Sequence, residues 1–190
     1  MELPLEKAIG ELLKARRLTL AVAESCTGGL IGHRLTNVPG SSAYFPGGII
    51  AYSNEIKEKL LGVSHTTLTN FGAVSEETAR EMARGACRVL GTDIGVAVTG
   101  IAGPGGALPG HGYYTKPRVA LPGVGRLPGI GKQTLIWVPA KPVGLTWIAC
   151  AAKNFERAER CVWNGDRITN KEKSAETALR MVKEYLEGLA

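Results

Sequence analysis

Leu18-Thr-Leu-Ala-Val-Ala-Glu24 runs straight into Ser25-Cys26-Thr27-Gly28-Gly29, and Leu30-Ile-Gly-His-Arg-Leu35 follows at once. The first seven residues read as a buried strand, and the last six begin an amphipathic helix. A strand of this kind delivers Ser25 to the edge of a sheet. Two glycines after it let the backbone approach a ligand without interference from a Cβ. The helix that follows offers N-terminal N–H groups, which suits either an oxyanion hole for a serine nucleophile or a cradle for phosphate. A Ser/Thr cap before a packing pair of glycines is the other reading of the same residues.

The elements outward from this junction alternate between helix and strand. Leu5 to Leu13 carries a helical apolar stripe, and Gly47–Ser53 reads as a second strand, with Asn54 placed to cap a helix over 55–61. Residues 64–73 read as a loop with one helical turn. Ser75 opens a helix that ends at Leu90 before Gly91. Asp93–Thr99 is a buried strand running into the glycine-rich Gly100-Ile-Ala-Gly-Pro-Gly-Gly106. Val143–Ala151 and Phe155–Trp163 form a hairpin, and a helix from about Lys171 closes the chain. Helices between early strands and a hairpin late predict an α/β fold, a three-layer α/β/α sandwich with a mixed central sheet.

The chain has 190 residues, a size suited to one domain, and a net charge of +6. Residues 107–138 hold Lys116, Arg118, Arg126 and Lys132 with no acid, so this segment accounts for most of the basic excess. It also repeats Leu-Pro-Gly-x-Gly at 108–112, 121–125 and 127–131, which excludes a long helix or a central strand there. Leu127-Pro-Gly-Ile-Gly-Lys-Gln-Thr134 looks like the turn of a helix-hairpin-helix. The flanking prolines oppose the helices such a motif needs, so nucleic acid is not the expected partner. Cys26, Cys87, Cys150 and Cys161 and the three histidines are scattered, with no metal-ligand spacing, so neither a metal nor a cofactor is expected. No apolar run is long enough for a membrane helix and no secretory signal is visible, which predicts a cytoplasmic protein that does not engage membranes.

Ser25 lies in neither G-x-S-x-G nor S-x-x-K, and no histidine offers itself as a base. Tyr52 and Lys57 remain. A lysine serves as base only when burial lowers its pKa, and Lys57 stands among Glu55, Glu58 and Lys59, the pattern of a solvated helix face. Thr99 and Gly100 end a buried strand, where α/β sheets bind ligands. Arg167 follows a turn and is either a solvated side chain or a phosphate clamp.

Beyond these local readings, the chain resembles the C-terminal domain family of the competence/damage-inducible protein CinA. The matching stretches are Ala23–Gly29, Asn37–Phe45, Gly47–Asn54, Lys57, Gly72–Ser75, Val98–Gly106, Lys141–Gly144 and Gly165–Arg167. Residues 107–138 depart from the family pattern, in which the glycine loop leads within a few residues to Lys-Pro-Val-Gly. The family includes nicotinamide mononucleotide deamidases. The resemblance implies Ser25 as nucleophile, Lys57 as base and Tyr52 assisting proton transfer. It implies substrate contacts from Cys26, Thr27, Gly28, Gly29, Thr99, Gly100 and Arg167, with the amides of 27–29 holding the oxyanion. It also implies a small nucleotide as substrate and a homo-oligomer, a dimer by preference. Activity of the family's common N-terminal partner domain is not expected. Two other classes remain open on the same fold: a nucleic-acid-binding module, and a catalytically silent interaction protein.

Overall fold

The computed structural model describes residues 3–114 and 135–189. The chain divides into two compact units, Met1–Ala107 with Pro142–Ala190, and Leu108–Lys141. In the larger unit the order is α1 (Leu5–Arg16), β1 (Leu20–Glu24), α2 (Leu30–Thr36), β2 (Gly47–Ile50), α3 (Asn54–Leu61), α4 (His65–Asn70), α5 (Glu76–Leu90) and β3 (Ile94–Gly100). The smaller unit holds β4 (His111–Tyr114) and β5 (Leu135–Val138). The larger then resumes with β6 (Leu145–Ala152), β7 (Phe155–Val162) and α6 (Arg167–Glu187).

The five strands of the larger unit lie in the order β2-β1-β3-β6-β7. β1 pairs parallel with β2 and with β3, and β3–β6 and β6–β7 are antiparallel, so the sheet is mixed. Strand alternation sorts the side chains by size. Leu20, Val22, Ile94, Val96, Val98 and Ile148 join the apolar stripes of α1, α2 and α6 on one face. Ala21, Ala23, Ala97, Ala149 and Ala151 meet α3 and α5 on the other. Small residues on that second face let α5 come close. A Cβ on Gly95 would fall on the Ala83 carbonyl oxygen, and one on Gly85 would strike the Leu61 carbonyl. Helices thus cover both faces, the α/β arrangement the sequence predicts.

Several boundaries differ from the sequence reading, among them β2, which ends at Ile50 rather than Ser53. Ser53, not Asn54, caps α3, its Oγ accepting the Ile56 N–H at 3.2 Å. Residues 65–70 form a complete short helix capped by Ser64. α6 begins at Arg167 rather than Lys171, because Asp166 accepts the Thr169 N–H at 2.8 Å and sets the cap four residues earlier. In the smaller unit β4 and β5 pair antiparallel, Tyr114 opposite Leu135, and Leu108 bridges to Lys141. Residues 111–114 and 135–138 thus form a ladder within the segment for which the sequence excludes only a long helix or a central strand; His-Gly-Tyr-Tyr and Leu-Ile-Trp-Val carry no proline. The Leu127–Thr134 turn and the Leu-Pro-Gly-x-Gly repeats at 121–125 and 127–131 lie outside the described residues.

The three parallel strands end on one edge of the sheet. The connection after β1 leads to one side of it, and the connection after β2 returns to the other. Such a reversal opens a crevice beyond the strand ends, where α/β sheets bind ligands.

Candidate active site

Ser25 follows the last residue of β1, and its N–H donates to the Val98 carbonyl of β3 at 2.9 Å. That bond carries the sheet one residue further and fixes the serine at the crevice. Lys57 arrives from α3, which starts just after β2. Its side chain is 1% exposed, and its Nζ donates to the carbonyls of Ala51 at 2.7 Å and Tyr52 at 3.2 Å. The same nitrogen lies 3.1 Å from Ser25 Oγ. Glu55 pairs with Lys59, and Glu58 with His65, so neither acid reaches Lys57. Burial of the ammonium lowers its pKa to about 8, against a small opposing pull from the Cys26 sulfur. The solvated lysine of the sequence reading is instead a buried amine facing a hydroxyl.

A cavity of about 250 Å³ opens beside this pair, lined by Ser25, Cys26, Tyr52, Lys57, Thr99, Arg167 and the glycine-rich loop after β3. Cys26 is buried, and burial pushes its thiol up to about 12, far from a reactive thiolate. Thr99 Oγ1 donates to the Ala73 carbonyl at 2.7 Å. Gly100 has no room for a side chain, since a Cβ there would lie 3.0 Å from Cys26 Sγ and 2.7 Å from Thr146 Oγ1. Arg167 opens α6 and donates to the Gly103 carbonyl at 2.7 Å and to the Tyr52 hydroxyl at 3.2 Å.

Two groups expected at the site carry other hydrogen bonds. The Tyr52 phenol is paired with Arg167 and is 62% exposed, while only its backbone carbonyl touches Lys57. Tyr52 nonetheless lines the cavity together with Ser25 and Lys57. The amides of 28 and 29 are also committed. Gly28 N–H donates to the Ser25 carbonyl at 3.2 Å, and Gly29 N–H to the carboxylate of Glu24 at 2.9 Å. Thr27, Gly28 and Gly29 do not line the cavity. Glu24 is the residue the sequence reading missed. It is 1% exposed, and it also accepts from Ile31 N–H at 3.2 Å and Gly32 N–H at 2.9 Å, capping α2 from upstream. An acid placed between a buried strand and a glycine pair was the available signal. Among the described residues no cluster of histidine, cysteine or acid is arranged to hold a metal.

The family model of the CinA C-terminal domain matches residues 2–113 and 137–186. The chain belongs to the CinA C-terminal domain family. The match passes over residues 114–136, the centre of the smaller unit. A CinA-like protein of Chloroherpeton thalassium is 47% identical over 189 residues, which cover 97% of this chain and 38% of that protein. One from Chlorobaculum tepidum is 44% identical, covering 94% of this chain and 36% of its own length. The chain thus spans little more than a third of these relatives. Among solved structures, the competence damage-inducible protein A (ComA) from Klebsiella pneumoniae matches with a TM-score of 0.77 at 28% identity, covering 98% of this chain and 97% of that one. The competence/damage inducible protein CihA from Agrobacterium tumefaciens matches with a TM-score of 0.74 at 34% identity, covering 98% and 99%. Among the described residues no helix is long and apolar enough to cross a membrane.

Proposed function

We propose that this CinA-family chain is a serine amidohydrolase that converts nicotinamide mononucleotide to nicotinate mononucleotide and ammonia. The observation that carries the reading is Lys57 Nζ, buried with no carboxylate partner among the described residues and 3.1 Å from Ser25 Oγ. Neutral lysine has two N–H groups and one lone pair. The Ala51 and Tyr52 carbonyls take the two hydrogens, which leaves the lone pair for the Ser25 hydroxyl proton. With a pKa near 8, about one molecule in ten holds the neutral amine at pH 7.

Ser25 Oγ attacks the carboxamide carbon and its proton passes to Lys57. The tetrahedral intermediate collapses, the C–N bond breaks, and Lys57 returns the proton to the departing ammonia. Water, deprotonated by Lys57, then cleaves the ester to carboxylate and free serine. With the Gly28 and Gly29 amides committed elsewhere and Thr27 off the cavity wall, the oxyanion donor falls to the amide of Cys26, which adjoins Ser25 and lines the cavity. Arg167 gives the cavity a fixed positive charge suited to a phosphate. The choice of nicotinamide rests on the family resemblance; the cavity supports an acyl-transfer site for a small anion.

Purified protein should release ammonia from nicotinamide mononucleotide, and Ser25→Ala should fold with less than a tenth of that activity. Comparable ammonia release by the alanine variant would remove Ser25 from the role.

A further inference from the structure

Asn170 lies one helical turn after Arg167 on α6, does not line the cavity, and is 1% exposed. All of its amide is used. Nδ2 donates to the Ala102 carbonyl and to the Gly165 carbonyl, each at 3.0 Å, and Oδ1 accepts from Gly165 N–H at 3.0 Å. Arg167 holds the next carbonyl, that of Gly103, at 2.7 Å. Two residues of α6 therefore grip two consecutive carbonyls of the loop that walls the cavity. The grip is itself anchored, because Ser174 donates to the Asn170 carbonyl at 2.7 Å and accepts from Trp163 Nε1 at 2.9 Å.

A trans peptide points its C=O and N–H in opposite directions. The Ala102–Gly103 peptide is trans, the cis bond being the next one, Gly103–Pro104. Holding the Ala102 oxygen against Asn170 thus turns the Gly103 N–H to the side away from α6. Gly103 lines the cavity, and its N–H has no acceptor among the described residues. We infer that Asn170 is a positioning residue, which aims the Gly103 N–H at an anionic oxygen of the bound nucleotide beside Arg167. This rests on the amidohydrolase reading for its substrate, and the donor is assigned to the phosphate, which shares the Arg167 end of the cavity, rather than to the oxyanion at Ser25.

Asn170→Asp keeps the size of the side chain and the acceptor for Gly165, but sets a carboxylate oxygen against the Ala102 carbonyl. KM for nicotinamide mononucleotide should rise about 10- to 100-fold with kcat within about threefold, the pattern of a lost binding contact. Nicotinamide riboside, without the phosphate, should be turned over by wild type and variant alike. Labelling of Ser25 by a fluorophosphonate, which needs only the serine and its base, should keep its rate. Equal losses on mononucleotide and riboside, or slower labelling, would overturn the assignment. Should the aspartate variant not fold, Asn170→Ala is read by the same measures. If no nicotinamide compound is hydrolysed, protection of Ser25 from the fluorophosphonate by ribose 5-phosphate reports the anion contact alone. The protecting concentration should then rise at least about tenfold in Asn170→Asp, and unchanged protection would refute the role.

Discussion

Lys57 concentrates the chemistry in one side chain and also sets its cost. In an ordinary protein an ammonium in this position would need a carboxylate, and here it has two carbonyls and a hydroxyl. Since the base must be neutral to accept the serine proton, kcat/KM should rise with pH and level off above about 8. A profile flat from pH 6 to 10 would argue against lysine as the base. Lys57→Arg should be as inactive as Lys57→Ala, because a guanidinium stays charged. The same burial acts on stability. Between pH 8 and 10.5 the unfolded chain binds more protons at this residue than the folded one, so stability increases with pH across that window. Relative to Lys57→Met, wild type should gain about 3 kcal/mol by urea unfolding over that range, at roughly 1.4 kcal/mol per pH unit. Parallel pH curves for the two proteins would mean that Lys57 is hydrated.

At the scale of elements, the decisive unit is the β1–α2 junction. Its fold was legible from Leu18–Gly29, because a period-two strand, a glycine pair and a period-3.6 helix follow one another without a break. Its hydrogen bonding was not legible. A cap is ordinarily sought at the residue before the helix, whereas Glu24 reaches amides five, seven and eight positions ahead. Lys57 was obscured in the same way, since Glu55, Glu58 and Lys59 around it look solvated and the carbonyls that hold it depend on β2 ending at Ile50. The start of α6 was placed too late for a related reason. Thr169 and Asn170 are weak helix formers, and the cap at Asp166 and the bonds of Asn170 to Ala102 and Gly165 override that weakness. Glu24 allows a direct check. Glu24→Gln exchanges a carboxylate shared by three amides for a neutral group with one acceptor oxygen, and should cost about 2–3 kcal/mol of stability. It should also lower kcat through displacement of Ser25, and unaltered denaturation with full activity would show that the cap does not matter.

At the scale of the whole molecule, the larger unit contains the five-stranded sheet and, among the described residues, the three apolar clusters and the lining of the candidate cavity. The family match stops at residue 113 and resumes at 137, on either side of the stretch that joins β4 to β5. Tyr114 and Leu135 face each other as the last described pair of that ladder, so their backbones stand at the separation a two-residue hairpin turn closes. Replacing residues 115–134 with Asn-Gly should therefore leave a folded protein, with a melting temperature within about 3 °C of wild type, since the five-stranded sheet and the β4–β5 pairing are both retained. The replacement also removes Lys116, Arg118, Arg126 and Lys132, and with them most of the net charge of +6. Ammonia release by the shortened protein should stay within about threefold of wild type, because the dyad and the Arg167 grip lie entirely in the retained sequence. A joint change in KM and kcat would instead give the excised residues a part in closing over substrate. Loss of a salt-sensitive affinity for DNA with deamidation intact would identify them as a nucleic-acid arm. Insoluble or unfolded protein would show that residues 115–134 complete a core.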